Sequence, residues 1–322
     1  MGKRIILIHG RSTKPRPEEK LRLVRQALIH GLGRADPSCA QRLENGEIPF
    51  ELVYYGDINN ALLWASEQRP RKKITPDFLT WPFPYELNGR YDQPLAQLLA
   101  EKNQTEHRYK ELRRQVKDLG LVDNLLGVVS PLANLTGLND ELINSFLPDL
   151  GAYFEYRLVG SMIRQRLQQV LIPALQQGDD ICLIAHSMGT IVAYDVVWKL
   201  SRMSEYQHLH DQKLGLFVTL GSPLGDPVVN KQLYDSNEPN DGRYPANLLE
   251  WHNFSAKDDF ISHDESLSDN FAPMLQRKLL RRIRDYFIYN LWVDDDRINP
   301  HKLYAYLDNH QVGKLLAGWM NS

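Results

Sequence analysis

The stretch from Asp180 to Trp198 limits the fold of this chain more than any other. It opens with Asp180-Ile181-Cys182-Leu183-Ile184, a short apolar run of the kind that forms a parallel strand buried on both faces. It closes with Thr190-Ile191-Val192-Ala193-Tyr194-Asp195-Val196-Val197-Trp198, whose apolar residues recur at helical spacing. Between them lies Ala185-His186-Ser187-Met188-Gly189, which leaves room only for a sharp turn. Small residues two before and two after Ser187 let strand and helix pass closely, although alanine rather than glycine fills the first place. A strand feeding a helix in this way is the repeating unit of a parallel sheet.

The rest of the chain continues the alternation. Strands are expected at Arg4 to Ile8, Phe50 to Tyr55, Leu216 to Leu220, Leu248 to Phe254 and Tyr286 to Val293. Helices are expected at about Pro17 to His30, Tyr153 to Gln177 and Val312 to Trp319. The expectation is one α/β domain over residues 1–322, with a mostly parallel central sheet flanked by helices. From Ile58 to Leu150 the alternation stops. That stretch holds the turn-rich Trp81-Pro82-Phe83-Pro84, a charged amphipathic piece from Glu106 to Leu119, and an apolar segment from Leu121 to Leu138. We read residues 58–150 as an insertion, either a helical cap or lid over the sheet edge or a fixed subdomain that extends the core.

Composition excludes several classes. With 43% apolar and 24% charged residues, the chain of 322 residues reads as globular. A formal net charge of −2 gives no field for nucleic acid, so no nucleic-acid partner is expected. The basic run Arg69-Pro70-Arg71-Lys72-Lys73 and the stretch from Arg277 to Arg284 are local; leucine and isoleucine interleave the second, which reads as a solvated helix face. Cys39 and Cys182 offer neither a disulfide framework nor metal spacing. The apolar run Ile5 to Ile8 is too short for a signal-peptide core, and no run reaches membrane-spanning length, so a cytoplasmic protein without an integral membrane segment is expected.

A serine hydroxyl is a weak nucleophile until a base takes its proton and a carboxylate orients that base. The carboxylate and base therefore should follow further strands, and both do. After Phe254 comes Ser255-Ala256-Lys257-Asp258-Asp259-Phe260-Ile261, and after Val293 the chain runs from Asp294 to Pro300 and then His301. Asp259 is the first choice of acid, with Asp258 as the alternative. His301 is preferred as base over His263, which precedes the final strand, and His310, which falls near the start of the last helix. His186 reads as a packing or pocket-lining residue, and His208-Leu209-His210-Asp211 as a solvated loop without a closing metal ligand.

Two further turns are informative: His9-Gly10-Arg11 after the first strand, and Gly221-Ser222-Pro223 after Leu220. At these residues the chain resembles lipase- and esterase-like α/β-hydrolases over roughly its first 56 residues and from about Tyr153 onward. The order Ser187, Asp259, His301 is the order of that family. The resemblance implies an oxyanion hole from the backbone N–H groups of Arg11 and Met188, with Ser187 forming an acyl-enzyme. It implies a small-molecule carboxylic ester as substrate and no metal or organic cofactor. Alternatives on the same fold are an acyltransferase and a non-catalytic binding module. The segment Leu121 to Leu138 would serve as an apolar pocket lining or as the contact of a homo-oligomer.

Overall fold

A computed structural model describes residues 2–68, 76–80, 82–116, 118–119, 148–262 and 266–322. Its centre is a six-stranded parallel sheet of β1 (Lys3–Ile8), β2 (Phe50–Val53), β3 (Asp180–His186), β4 (Leu214–Leu220), β5 (Leu248–Ala256) and β6 (Arg282–Ile288). The spatial order is β2-β1-β3-β4-β5-β6. Ile5 of β1 is in register with Phe50 of β2 on one side and with Cys182 of β3 on the other. Chain order thus reverses at β1, and in open α/β sheets the crevice beyond the carboxyl ends at such a switch point is where ligands bind.

The apolar runs are continuous because the strands bury both faces. On one face Ile6, Ile8, Ile181, Leu183 and Ala185 pack with Ile163 and Leu167 of α2 (Arg157–Gln176) and Ile191 of α3 (Met188–Arg202). On the other, Ile5, Leu7, Cys182 and Ile184 pack with Leu23 and Ala27 of α1 (Pro17–Ala35) and with Val312 and Leu316 of α4 (His310–Met320). Each fully buried leucine or isoleucine contributes about 1.5–3 kcal/mol. Helices α1 and α4 cross at Gly31 and Gly313, where a Cβ on either glycine would collide with backbone atoms of the facing segment.

Several boundaries differ from expectation. The last strand of the central sheet is Arg282–Ile288, not Tyr286 to Val293, and the apolar Leu291 and Trp292 are buried in the following loop. The basic stretch from Arg277 to Arg284 is therefore a turn leading into an edge strand, not a helix face. An edge strand needs only one apolar face, so β6 tolerates exposed Arg282 and Arg284 around buried Ile283. The helix expected from Tyr153 to Gln177 is two, Pro148–Glu155 and α2, separated at Tyr156.

Within 58–150, the described pieces join the main body. A helix at Gly56–Gln68 packs Ile58, Ala61 and Leu62 into the first core. Helices Asp92–Ala100 and Glu106–Gln115 place Leu95, Leu98, Tyr109 and Leu112 in the second. Asp118–Leu119 pairs with Arg297–Ile298, which pairs with Val293–Asp294, making a small three-stranded sheet. The segment Leu121 to Leu138, the run Arg69 to Lys73 and His263 lie outside the described residues. Among the described residues, no helix is long and apolar enough to cross a membrane.

Candidate active site at the carboxyl edge of the sheet

Ser187 sits at the turn between β3 and α3 with φ 55° and ψ −131°. A side-chain-bearing residue at positive φ costs about 1–3 kcal/mol and persists only where its surroundings enforce it. Here the Ser187 N–H donates to the Leu220 carbonyl at 3.0 Å, and the Thr190 hydroxyl donates to the Ser187 carbonyl at 2.7 Å. Ser222, in the turn after β4, in turn bonds the Thr190 hydroxyl at 2.9 Å. Gly189 is needed because a Cβ there would stand 2.5 Å from the His9 carbonyl oxygen. A Cβ on Gly10 would stand 2.6 Å from that of Ser187, so the turn after β1 lies directly against the serine.

That turn is fixed by His9. The Tyr55 N–H donates to His9 Nε2 at 3.1 Å, which leaves the ring proton on Nδ1, and this donates to the Gly10 carbonyl at 2.8 Å. Complete burial holds the imidazole pKa well below its usual value, so His9 stays neutral. With no cis peptide among the described residues, fixing the Gly10 carbonyl turns the Arg11 N–H to the opposite side of the same peptide plane. Among the described residues neither that N–H nor the Met188 N–H at the start of α3 meets an acceptor. Asp149, fully buried, braces the loop further: its carboxylate accepts from Arg11 Nε at 2.9 Å and from the Ser12 N–H at 2.7 Å. Burial alone would raise its pKa, but Arg11 and the Ser12 N–H outweigh that and hold it below the ordinary value.

Asp259 lies after β5, 4% exposed, with its oxygens 2.9 and 3.0 Å from His301 Nδ1. Its other partners are the Ile261 N–H at 3.0 Å and the Tyr306 hydroxyl at 2.6 Å. Burial, then the nearby carboxylate, pushes the Tyr306 pKa well above normal, so it remains a neutral donor. Asp258 points elsewhere. It accepts from the Tyr109 hydroxyl at 3.0 Å and from Arg113 at 2.7 Å.

The loop carrying His301 is tied by Asn299, whose side chain accepts from the His301 N–H at 3.1 Å, and by Asn290, which donates to the Lys302 carbonyl at 2.9 Å. His186 adds a third tie: its Nε2–H donates to the His301 carbonyl at 2.8 Å, and the two rings lie 4.7 Å apart. Burial and then His301 lower the pKa of His186 well below normal, so it acts as a neutral brace. With Nδ1 engaged by Asp259, the remaining nitrogen of His301, Nε2, is buried and meets no protein partner among the described residues. His310 stands apart at the start of α4, its N–H donating to Gln104. His210 spends its Nε2 on the Met203 carbonyl.

Ser187, His301, Gly10 and Arg11 line one cavity of about 380 Å³. Its other walls include Lys14, Lys20, Glu86, Tyr91, Lys302 and Tyr304. Asp149, Glu86, Lys20 and Tyr306 carry no sequence signature as site residues, because each comes from a separate segment. Comparison with protein-family models, with curated proteins and with solved structures finds no match for this chain.

Proposed function

We propose that this protein is a serine hydrolase that cleaves a carboxylic ester through an acyl-enzyme on Ser187. The observation that carries the reading is His301, anchored through Nδ1 to buried Asp259 while its Nε2, without a partner among the described residues, is buried beside the cavity that Ser187 lines. That is the arrangement a general base needs, with one nitrogen held in a fixed tautomer and the other left for the nucleophile. In an unliganded site the hydrogen bond between nucleophile and base is often long and closes only with substrate.

In this reading His301 Nε2 takes the Ser187 Oγ proton as Oγ attacks the ester carbonyl. The negative charge that develops on the carbonyl oxygen faces the Arg11 and Met188 N–H groups, the second aided by the N-terminal end of α3. Collapse breaks the bond to the alcohol oxygen, which takes the proton from Nε2. A water molecule then gives its proton to Nε2 as its oxygen adds to the acyl carbon, and Ser187 leaves with that proton, releasing the acid. Asp259, held against Nδ1, stabilises the imidazolium in both halves.

The test is turnover of a series of p-nitrophenyl esters by the wild type and by Ser187→Ala, Asp259→Asn, His301→Ala and Asp258→Asn. The reading expects losses of about a thousandfold or more in the first and third variants, and a large loss in the second. Asp258→Asn should stay near wild type, because Asp258 faces Tyr109 and Arg113. Wild-type rates in Ser187→Ala would end the proposal.

A further inference from the structure

The walls of the Ser187 cavity carry an imbalance of charge. Arg11, Lys14, Lys20, Arg90, Arg297 and Lys302 line it, against Glu86, Asp294 and Asp295. Most of these cations are already engaged. Arg11 pairs with Asp149; Arg90 lies 3.9 Å from Glu86 and 3.8 Å from Asp295; Lys14 donates to the carbonyls of Arg11, Ser12 and Thr13. Lys20 is different. It is 4% exposed, its ammonium donates to the Tyr304 hydroxyl at 3.0 Å, and no carboxylate among the described residues lies within 4.0 Å of it.

Lys302 follows the candidate base directly in sequence. Its ammonium stands 3.7 Å from the centre of the Tyr91 ring and 4.0 Å from the Asp294 carboxylate. A buried ammonium without a counter-charge, as Lys20 is among the described residues, is costly, and a simple apolar wall would not leave one in the cavity that Ser187 lines. Burial, and then the repulsion of neighbouring lysines, draws the Lys20 pKa well below normal. Burial brings Lys14 and Lys302 down to about 8 each. An anion in the cavity would relieve both effects at once.

We propose that the substrate of this site carries an anionic group, a carboxylate or a phosphate, which Lys20 and Lys302 bind while Ser187 attacks an ester bond elsewhere in the same small molecule. The word substrate rests on the hydrolase reading, whereas the anion site rests on the geometry of the lysines. A cavity of about 380 Å³ sits near the lower end of the usual range for small-ligand sites, so the anion and the scissile ester belong to one compact molecule.

The test separates the two claims by measuring anion binding in Ser187→Ala protein, which needs no turnover. Glutarate and inorganic phosphate are titrated calorimetrically at constant ionic strength into Ser187→Ala, and into the same protein carrying Lys20→Met, Lys20→Arg or Lys302→Met. At least one anion should bind, the two methionine variants should each weaken it about tenfold or more, and Lys20→Arg should retain most of it. Which anion binds decides between carboxylate and phosphate. A second arm compares wild-type kcat/KM for mono-p-nitrophenyl glutarate with that for neutral p-nitrophenyl valerate, and a Lys20→Met variant should lower their ratio.

Absence of binding by both anions, or equal binding in Lys20→Met protein that melts as the wild type does, overturns the anion site. Anion binding that depends on Lys20, together with an unreactive Ser187, upholds the anion site and overturns the hydrolase reading instead.

Discussion

Gly221→Ala tests whether the contact between Asp259 and His301 is part of the machinery, without touching either residue. Gly221 follows β4 with φ +54°, and a Cβ there would stand 2.9 Å from Asp259 Oδ2, 2.9 Å from His301 Nδ1 and 3.0 Å from His301 Cε1. The new methyl group would thus lie against both ends of the 2.9 Å hydrogen bond that orients His301. Ordinary contact begins near 3.4 Å, so the carboxylate and the ring must retreat by about half an ångström. A misplacement of about 1 Å in a reacting group costs about a hundredfold, so a loss in kcat of about ten- to a hundredfold is expected.

The backbone cost is separate. Alanine at positive φ costs about 1–2 kcal/mol, too little to unfold a domain whose stability is about 5–15 kcal/mol. The assay is therefore paired: urea unfolding to establish that the variant is folded, and steady-state turnover of a short-chain p-nitrophenyl ester. A folded Gly221→Ala protein with kcat within twofold of wild type would refute the reasoning, since the pair would then tolerate a wedge between its members.

Three other outcomes are expected. Tyr306→Phe removes a donor from Asp259 and the acceptor of the buried Ala256 N–H, so stability should fall by about 2–4 kcal/mol and kcat by about tenfold; in an Asp259→Asn background the further loss of kcat should be small, as a double-mutant cycle would read. Asp149→Ala strips Arg11 and the Ser12 N–H of their shared partner, and because it loosens the loop that presents the Arg11 N–H, kcat should fall about ten- to a hundredfold while KM changes little. The third concerns Asp195, which burial raises to about 6 from an ordinary 3.8. The folded state then binds its proton more tightly than the unfolded chain, so its ionised form is a cost above pH 6 that is relieved as pH falls through 6 toward 3.8; chemical denaturation should find the wild type gaining about 1 kcal/mol between pH 7 and pH 5 relative to Asp195→Asn.

What could be read from the sequence followed from local constraint. The strand-turn-helix around Ser187 was legible because an apolar run, a small-residue turn and a helical period fall within one short stretch, and the structure has β3 and α3 there. The alternation that forms a parallel sheet was legible for the same reason. The end of the sheet was not: Leu291, Trp292 and Val293 look more like a strand than Arg282 to Ile288, but an edge strand with one buried face needs no continuous apolar run.

Asp258 and Asp259 are adjacent, and only the course of the turn decides that the second meets His301 while the first, at φ 62°, meets Tyr109 and Arg113. The braces and the charge of the cavity were beyond sequence pattern altogether. Asp149 reaches Arg11 across 138 residues, and Lys20 reaches Tyr304 across 284. No spacing rule connects such pairs. In the sequence Lys20 is one more charge on an amphipathic helix, and only the packing of α1 against the segment bearing Tyr304 buries it.

The central claim is that Ser187 is a nucleophile activated by its surroundings, and covalent labelling tests it most directly. The wild-type protein is treated with a fluorophosphonate, digested and read by mass spectrometry, beside Ser187→Ala and His301→Ala. The account predicts one phosphonylated peptide with the modification on Ser187, slowed by orders of magnitude in His301→Ala and missing from Ser187→Ala. An unlabelled Ser187 in folded wild-type protein, or equal labelling of wild type and Ser187→Ala, would contradict it.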